Sequence, residues 1–127
     1  MAGMTKVESY LMDLGIAYQE VSASAFYIDD QAKGLPGITV AIDEPIVVIR
    51  VRVMPVPAGN PSKLFEELLK LNGTDMVHGA YGLDGKDVVL IDTLEYATMD
   101  KQEFEASLDS IGLALSKHYG VLGAYRI

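Results

Sequence analysis

Cysteine is absent from all 127 residues. That removes disulfides, thiolate nucleophiles and Cys-ligated zinc together, and it fits a reducing compartment. Cations are few. Ten Lys and Arg stand against eighteen Asp and Glu, leaving a formal net charge of −8. Nucleic acid and anionic membranes are bound through clustered cations. Here the cations are scattered, so neither is an expected partner, and an acidic surface steers basic partners instead. Long apolar runs are missing too. The longest, Ile46–Ile49 and Val88–Ile91, fall far short of the roughly 20 residues a membrane helix needs. Met1–Lys6 has no secretory-type apolar segment. The expected location is the cytoplasm.

Chemical motifs are equally sparse. His78 and His118 are the only histidines, and neither sits in an HExxH or other close His/carboxylate spacing. Each reads as a surface or half-buried side chain. The carboxylate pairs Asp29-Asp30 and Asp43-Glu44 fall in predicted turns, where they cap the chain and face water. Asp84-Gly85-Lys86-Asp87 lacks the ligand spacing and terminal Glu of a calcium loop. The glycines form no GxGxxG or P-loop, and no GxSxG accompanies the serines. The expectation is a protein without enzymatic activity, cofactor or metal.

What is present describes one folded domain over residues 1–127. Half the residues are apolar and 22% are charged, too apolar for disorder. A chain of this length buries roughly two thirds of its unfolded surface without a staple. Val7, Tyr10, Leu11 and Leu14 share one helical face, with Thr5 and Glu8 spaced as a capping box and Gly15 as a stop. Residues 17–28 read as one strand, with Val21, Ala23, Ala25 and Tyr27 on one side. Lys33–Gly37 reads as a turn. Ile38, Val40 and Ile42 alternate as a second strand, and Asp43-Glu44-Pro45 turns the chain. Ile46–Val53 is the clearest strand, with Val47, Ile49, Val51 and Val53 on a wholly apolar face. Asn60 and Pro61 open a helix that runs to about Leu71 and closes at Asn72-Gly73. Met76–Leu83 and Lys86–Leu94 flank Asp84-Gly85, the strongest short hairpin signal. Gly79 and Gly82 mark a bulge or close backbone contact. Asp100 and Glu103 cap a final helix with Phe104, Leu108, Ile111, Leu115 and Tyr119 on its apolar face, stopped at Gly120. The order α-β-β-β-α-β-β-α predicts an α+β fold, an antiparallel sheet with helices packed on it.

Two features exceed what one core needs. Leu64, Phe65, Leu68, Leu69 and Leu71 span about 160° of the helical wheel, wider than the roughly 100° needed for one-sided burial. One edge, Leu64, Leu68 and Leu71, is the candidate dimer interface, since two-fold dimers are the commonest soluble oligomers. The other feature is the mixed face Ile46, Val48, Arg50 and Arg52, a candidate protein-binding surface because arginine is enriched at interfaces. The arginines pairing with acidic neighbours is the competing reading.

The element order, with the segment Asn60-Pro61-Ser62-Lys63-Leu64-Phe65-Glu66-Glu67-Leu68-Leu69-Lys70-Leu71-Asn72, resembles the YbjN family. That family is similar in fold to the type III secretion chaperones (CesT-like). The resemblance covers Met4 to Leu122. It rests on Leu68-Leu69-Lys70-Leu71-Asn72 as a Leu-Leu-x-x-Asn pattern, on the Gly-containing strand Gly79–Leu83 with its Asp84-Gly85 hairpin, and on the long Asp-capped helix. The chain departs from typical chaperones in its Ser/Ala-rich Ser22–Ala25. The resemblance implies a small acidic cytoplasmic domain, often homodimeric, that engages another protein or peptide through its sheet and helices. Secretion chaperones hold an extended effector segment along such surfaces. No catalytic residue is implied. The expected function is a homodimeric, chaperone-like or adaptor protein-binding domain. A dedicated secretion chaperone and a small-molecule-binding or enzymatic domain are the alternatives.

Overall fold

The structure, a computed structural model, describes residues 3–126. Its elements run α1 (Lys6–Asp13), β1 (Tyr18–Ser22), β2 (Ala25–Asp30), a 3-10 turn (Gln31–Lys33), β3 (Leu35–Asp43), β4 (Ile46–Pro55), α2 (Ser62–Thr74), β5 (Ala80–Asp84), β6 (Asp87–Glu95) and α3 (Lys101–Gly123). The strands form one antiparallel sheet ordered β1-β2-β3-β4-β6-β5. The expected α+β layer is there, with one more strand than the sequence pattern shows.

β4 lies inside the sheet, paired to β3 on one side and β6 on the other. Its face Val47, Ile49 and Val51 is buried as the alternation predicts. A bulge between Arg52 and Met54 then resets the register. Met54 takes the buried place expected of Val53, which is only half-buried.

The segment 17–28 is a hairpin and not one strand. Small residues Ala23 and Ser24 make its turn, where Ser22 Oγ accepts from Ser24 N–H at 3.3 Å. Its core face is Phe26 and Ile28, while Val21 and Tyr27 point outward and are exposed. β3 begins at Leu35, inside the segment expected to be a turn. Leu35 pairs with Asp30 and is buried, and Gly37 at φ 62° accommodates the irregular register between them. Asp30 does cap the following turn, accepting from Lys33 N–H, but it is buried and also accepts from Ala17 N–H at 2.9 Å. Water-facing was the wrong expectation for it.

α1 starts with Thr5 Oγ1 accepting from Glu8 N–H at 3.1 Å. The reciprocal half of the box is missing because the Glu8 carboxylate accepts from Tyr18 O–H at 2.7 Å instead. α3 has the full capping box of Asp100 and Glu103. It continues past Gly120 to Gly123. Phe104, Leu108 and Ile111 are buried as expected, but the buried line then runs through Ala114, His118 and Leu122. Leu115 and Tyr119 lie on a neighbouring line, and Tyr119 is exposed. Buried Ser107 donates from Oγ to Asp92 Oδ2 on β6 at 2.6 Å, fixing helix to sheet. No helix among the described residues is long and apolar enough to cross a membrane.

Candidate protein-binding surfaces

α2 decides which apolar edge is available to a partner. Asn60 Oδ1 accepts from Ser62 N–H at 3.0 Å and from Ser62 Oγ at 2.6 Å, shaping the entry to the helix. The helix runs on through Asn72 and Gly73 to Thr74, so these two residues do not close it. Leu64, Leu68 and Leu71 are buried in the chain's own core. That edge therefore faces the sheet and is not the outward surface it was expected to be. The outward edge is the other one. Leu69 is 71% exposed and Phe65 half-buried. Beside them on β5, Leu83 is 52% exposed. These three line an apolar groove of about 240 Å³ between α2 and β5.

Asn72 explains how the groove is held. Its Oδ1 accepts from Tyr81 N–H at 2.7 Å and its Nδ2 donates to Tyr81 C=O at 3.1 Å. A side-chain amide thus stands where a neighbouring strand would. Asn72→Ala should leave both main-chain groups of this partly covered edge without their partner. The expected loss is about 1–3 kcal/mol, seen as a lower urea midpoint at unchanged slope.

The Tyr81 side chain points inward and its O–H meets His118 Nδ1 at 2.7 Å. His118 is 2% exposed, not a surface residue. Its Nε2 lies 3.0 Å from Asp75 Oδ2, just past the end of α2. One neutral tautomer satisfies both contacts, with Nε2–H donating to Asp75 and Nδ1 accepting from Tyr81. Lys117 Nζ adds an ion pair to Asp75 at 3.3 Å. Burial, aided by the Asp75 charge, pushes the Tyr81 phenol up to about 12. Hydrogen bonds from His118 first, then Thr74 and Lys117, hold the Asp75 carboxyl below its ordinary range. The three residues tie α2, β5 and α3 together. His78 precedes β5, outside any strand, and its main chain meets Ser110 Oγ on α3. Gly79 has φ 83° and approaches Ile91 C=O so closely that a Cβ would lie 2.8 Å away, the close contact expected there. Gly82 has no such neighbour.

Ile46, Val48, Arg50 and Arg52 share the outer sheet face. Both arginines pair with acids of the β5–β6 hairpin: Arg50 with Asp84, and Arg52 Nε with Asp87 Oδ1 at 2.9 Å. Val89, in register with Arg52, is buried on that face. A larger recess, about 730 Å³, lies where the C-terminal half of α3 passes the start of β3 and the end of β4. Gly112 permits the approach: a Cβ there would sit 3.0 Å from Gly34 C=O. Among the described residues, no group of three or more His, Cys, Asp or Glu is placed to hold a metal ion.

The family model CesT_Tir_1 matches residues 2–126. No curated protein matches the sequence at a significant level. In three dimensions the chain is similar to a chain of the heterodimeric ExoU-SpcU complex from the type III secretion system of Pseudomonas aeruginosa. The TM-score is 0.70 at 16% identity, covering 87% of this chain and 93% of that one. It is also similar to YbjN from E. coli, with TM-score 0.65 at 15% identity over 90% and 89% of the two chains. A third similar structure is a chain of the complex between the Yersinia pestis type III secretion chaperone SycH and a stable fragment of YscM2. There the TM-score is 0.58 at 19% identity, over 87% and 93%. With the family model matched over nearly the whole chain and the YbjN- and chaperone-like fold in place, the chain belongs to the CesT_Tir_1 family of type III secretion chaperones.

Proposed function

We propose that this protein is a non-enzymatic, homodimeric binding domain that holds a segment of another protein, in the manner of a secretion chaperone. One observation carries the reading. Leu69 and Leu83 are large aliphatic side chains left mostly in water beside Phe65, on two elements that Asn72 holds together. Exposed apolar surface of this kind, framed by rigid structure, marks an interaction site. The family and the similar chains found in complexes with partner proteins support it.

The α2–β5 groove is assigned to the second copy. A helix edge meeting its own two-fold image is self-complementary by construction. Ile46, Val48, Arg50 and Arg52 on the outer sheet face are assigned to the partner protein. In line with the family, the proposed location is the cytoplasm.

Sedimentation equilibrium at micromolar concentration tests the first assignment. The wild type should show twice the monomer mass, and Leu69→Asp a single monomer mass with the circular dichroism and melting temperature of a folded domain. A monomeric wild type, or a dimeric Leu69→Asp protein, would overturn it.

A further inference from the structure

The 730 Å³ recess brings two arginines together on a chain that is acidic as a whole. Two of its three arginines, Arg52 and Arg126, line it, against the single carboxylate of Asp29. Asp29 is engaged locally, accepting from Gln31 Nε2 at 3.1 Å. Arg52 gives Nε to Asp87. Arg126 has no carboxylate partner among the described residues, and its guanidinium stacks 4.9 Å from the ring centroid of Tyr119. That stacking orients the planar head and leaves its N–H edges to bind.

The rest of the lining is aromatic and aliphatic. Tyr27 stands on the β2 side, Tyr119 and Leu115 on the α3 side, and Tyr81 lies toward the interior. Tyr119 is 68% exposed, although it lies on the side of α3 that borders the recess. The volume falls in the range of ligand sites, where apolar walls and a few placed polar groups act together. The outer-face residue Arg52 belongs to the recess as well, so it continues the surface assigned above to the partner protein.

We infer that this recess binds a short acidic segment of the partner protein, with a carboxylate on Arg126 and an adjoining branched or aromatic side chain against Tyr119 and Leu115. The inference rests on the protein-binding reading but not on the dimer. Charge complementarity selects the occupant: the Arg126 guanidinium, with no carboxylate partner among the described residues, is matched by a carboxylate.

The test uses the full chain, labelled with ¹⁵N, and the end-blocked peptide Gly-Glu-Leu-Glu-Gly, with Gly-Gln-Leu-Gln-Gly and phenylacetate as comparisons. The acidic peptide should shift the amide signals of Gly112, Leu115 and Tyr119, and do so less as salt rises. Arg126→Gln should weaken it about fivefold while leaving the melting temperature unchanged. Equal binding of the uncharged peptide, no change in Arg126→Gln, or binding of phenylacetate without the peptide would each overturn the inference. The last outcome makes the recess a small-anion site. Repeating the titration on Leu69→Asp separates the two readings, since loss of the dimer should leave peptide binding intact.

Discussion

Leu68→Asp should not fold, although Leu69→Asp, one residue further along the same helix, should. Leu68 is 5% exposed and belongs to the continuous core under the sheet. Replacing it removes a packed leucine, which costs about 2–5 kcal/mol. It also puts a carboxylate among Leu64, Leu71 and their neighbours with no cation to pair it. Together these approach the whole stability of an ordinary domain, about 5–15 kcal/mol. The expected result is loss of near-ultraviolet circular dichroism and of the cooperative urea transition at neutral pH. A folded Leu68→Asp protein would mean that the inward edge of α2 has been misassigned, and the dimer surface with it.

His118→Ala carries the second largest expected effect. It leaves the buried Tyr81 hydroxyl without its acceptor, removes the main hydrogen bond to Asp75, and opens a void beside Ala114 and Leu122. The expected loss is about 2–4 kcal/mol. The pH profile tells this loss from a simple packing defect. Asp75 is held below its ordinary 3.8, chiefly by His118. A depressed carboxyl adds stability above its unfolded value, and that contribution is lost as pH falls through the folded one. The wild type should therefore lose this part of its stability below about pH 4, and His118→Ala should show a shallower acid limb. On the alkaline side the sign reverses. Tyr81 is raised from 10.0 to about 12, so its contribution is complete below pH 10 and is lost as pH climbs toward 12. Tyr81→Phe should lack that alkaline decline. Urea midpoints measured across both limits check all three proteins.

Local signals were readable from the sequence because their causes are local. The Asp100–Glu103 box closes within one helical turn, and the inward face of β4 follows from strict alternation. The hairpin at residues 22–25 escaped because it has no Gly, Pro, Asn or Asp, and serine marks a turn only weakly through its hydroxyl. The bulge after Arg52 escaped because Val53 and Met54 are both apolar, so the pattern reads the same in either register.

α2 shows a different limit. Both of its edges are greasy, and periodicity measures the width of an arc, not its orientation. Only the placement of the sheet, with β5 against α2, decides that Leu64, Leu68 and Leu71 turn inward. The His118 clamp joins residues 37 and 43 positions apart, beyond any spacing argument. One clue was available. His118 falls on the same helical line as Ala114 and Leu122, four residues from each, and so belonged with the buried set.

The amide of Asn72 also limits how copies of this molecule can stick together. In an antiparallel ladder only alternate residues of a border strand offer their main chain outward. On β5 those are Tyr81 and Leu83, and Tyr81 is already occupied. One free residue cannot seed a ladder, whereas β1, mostly exposed and bordering solvent, can. A sheet extendable at one rim can pair main chains only with the like rim of another copy. Main-chain pairing therefore stops at two copies, so the ladder by itself cannot stack endlessly into a fibre.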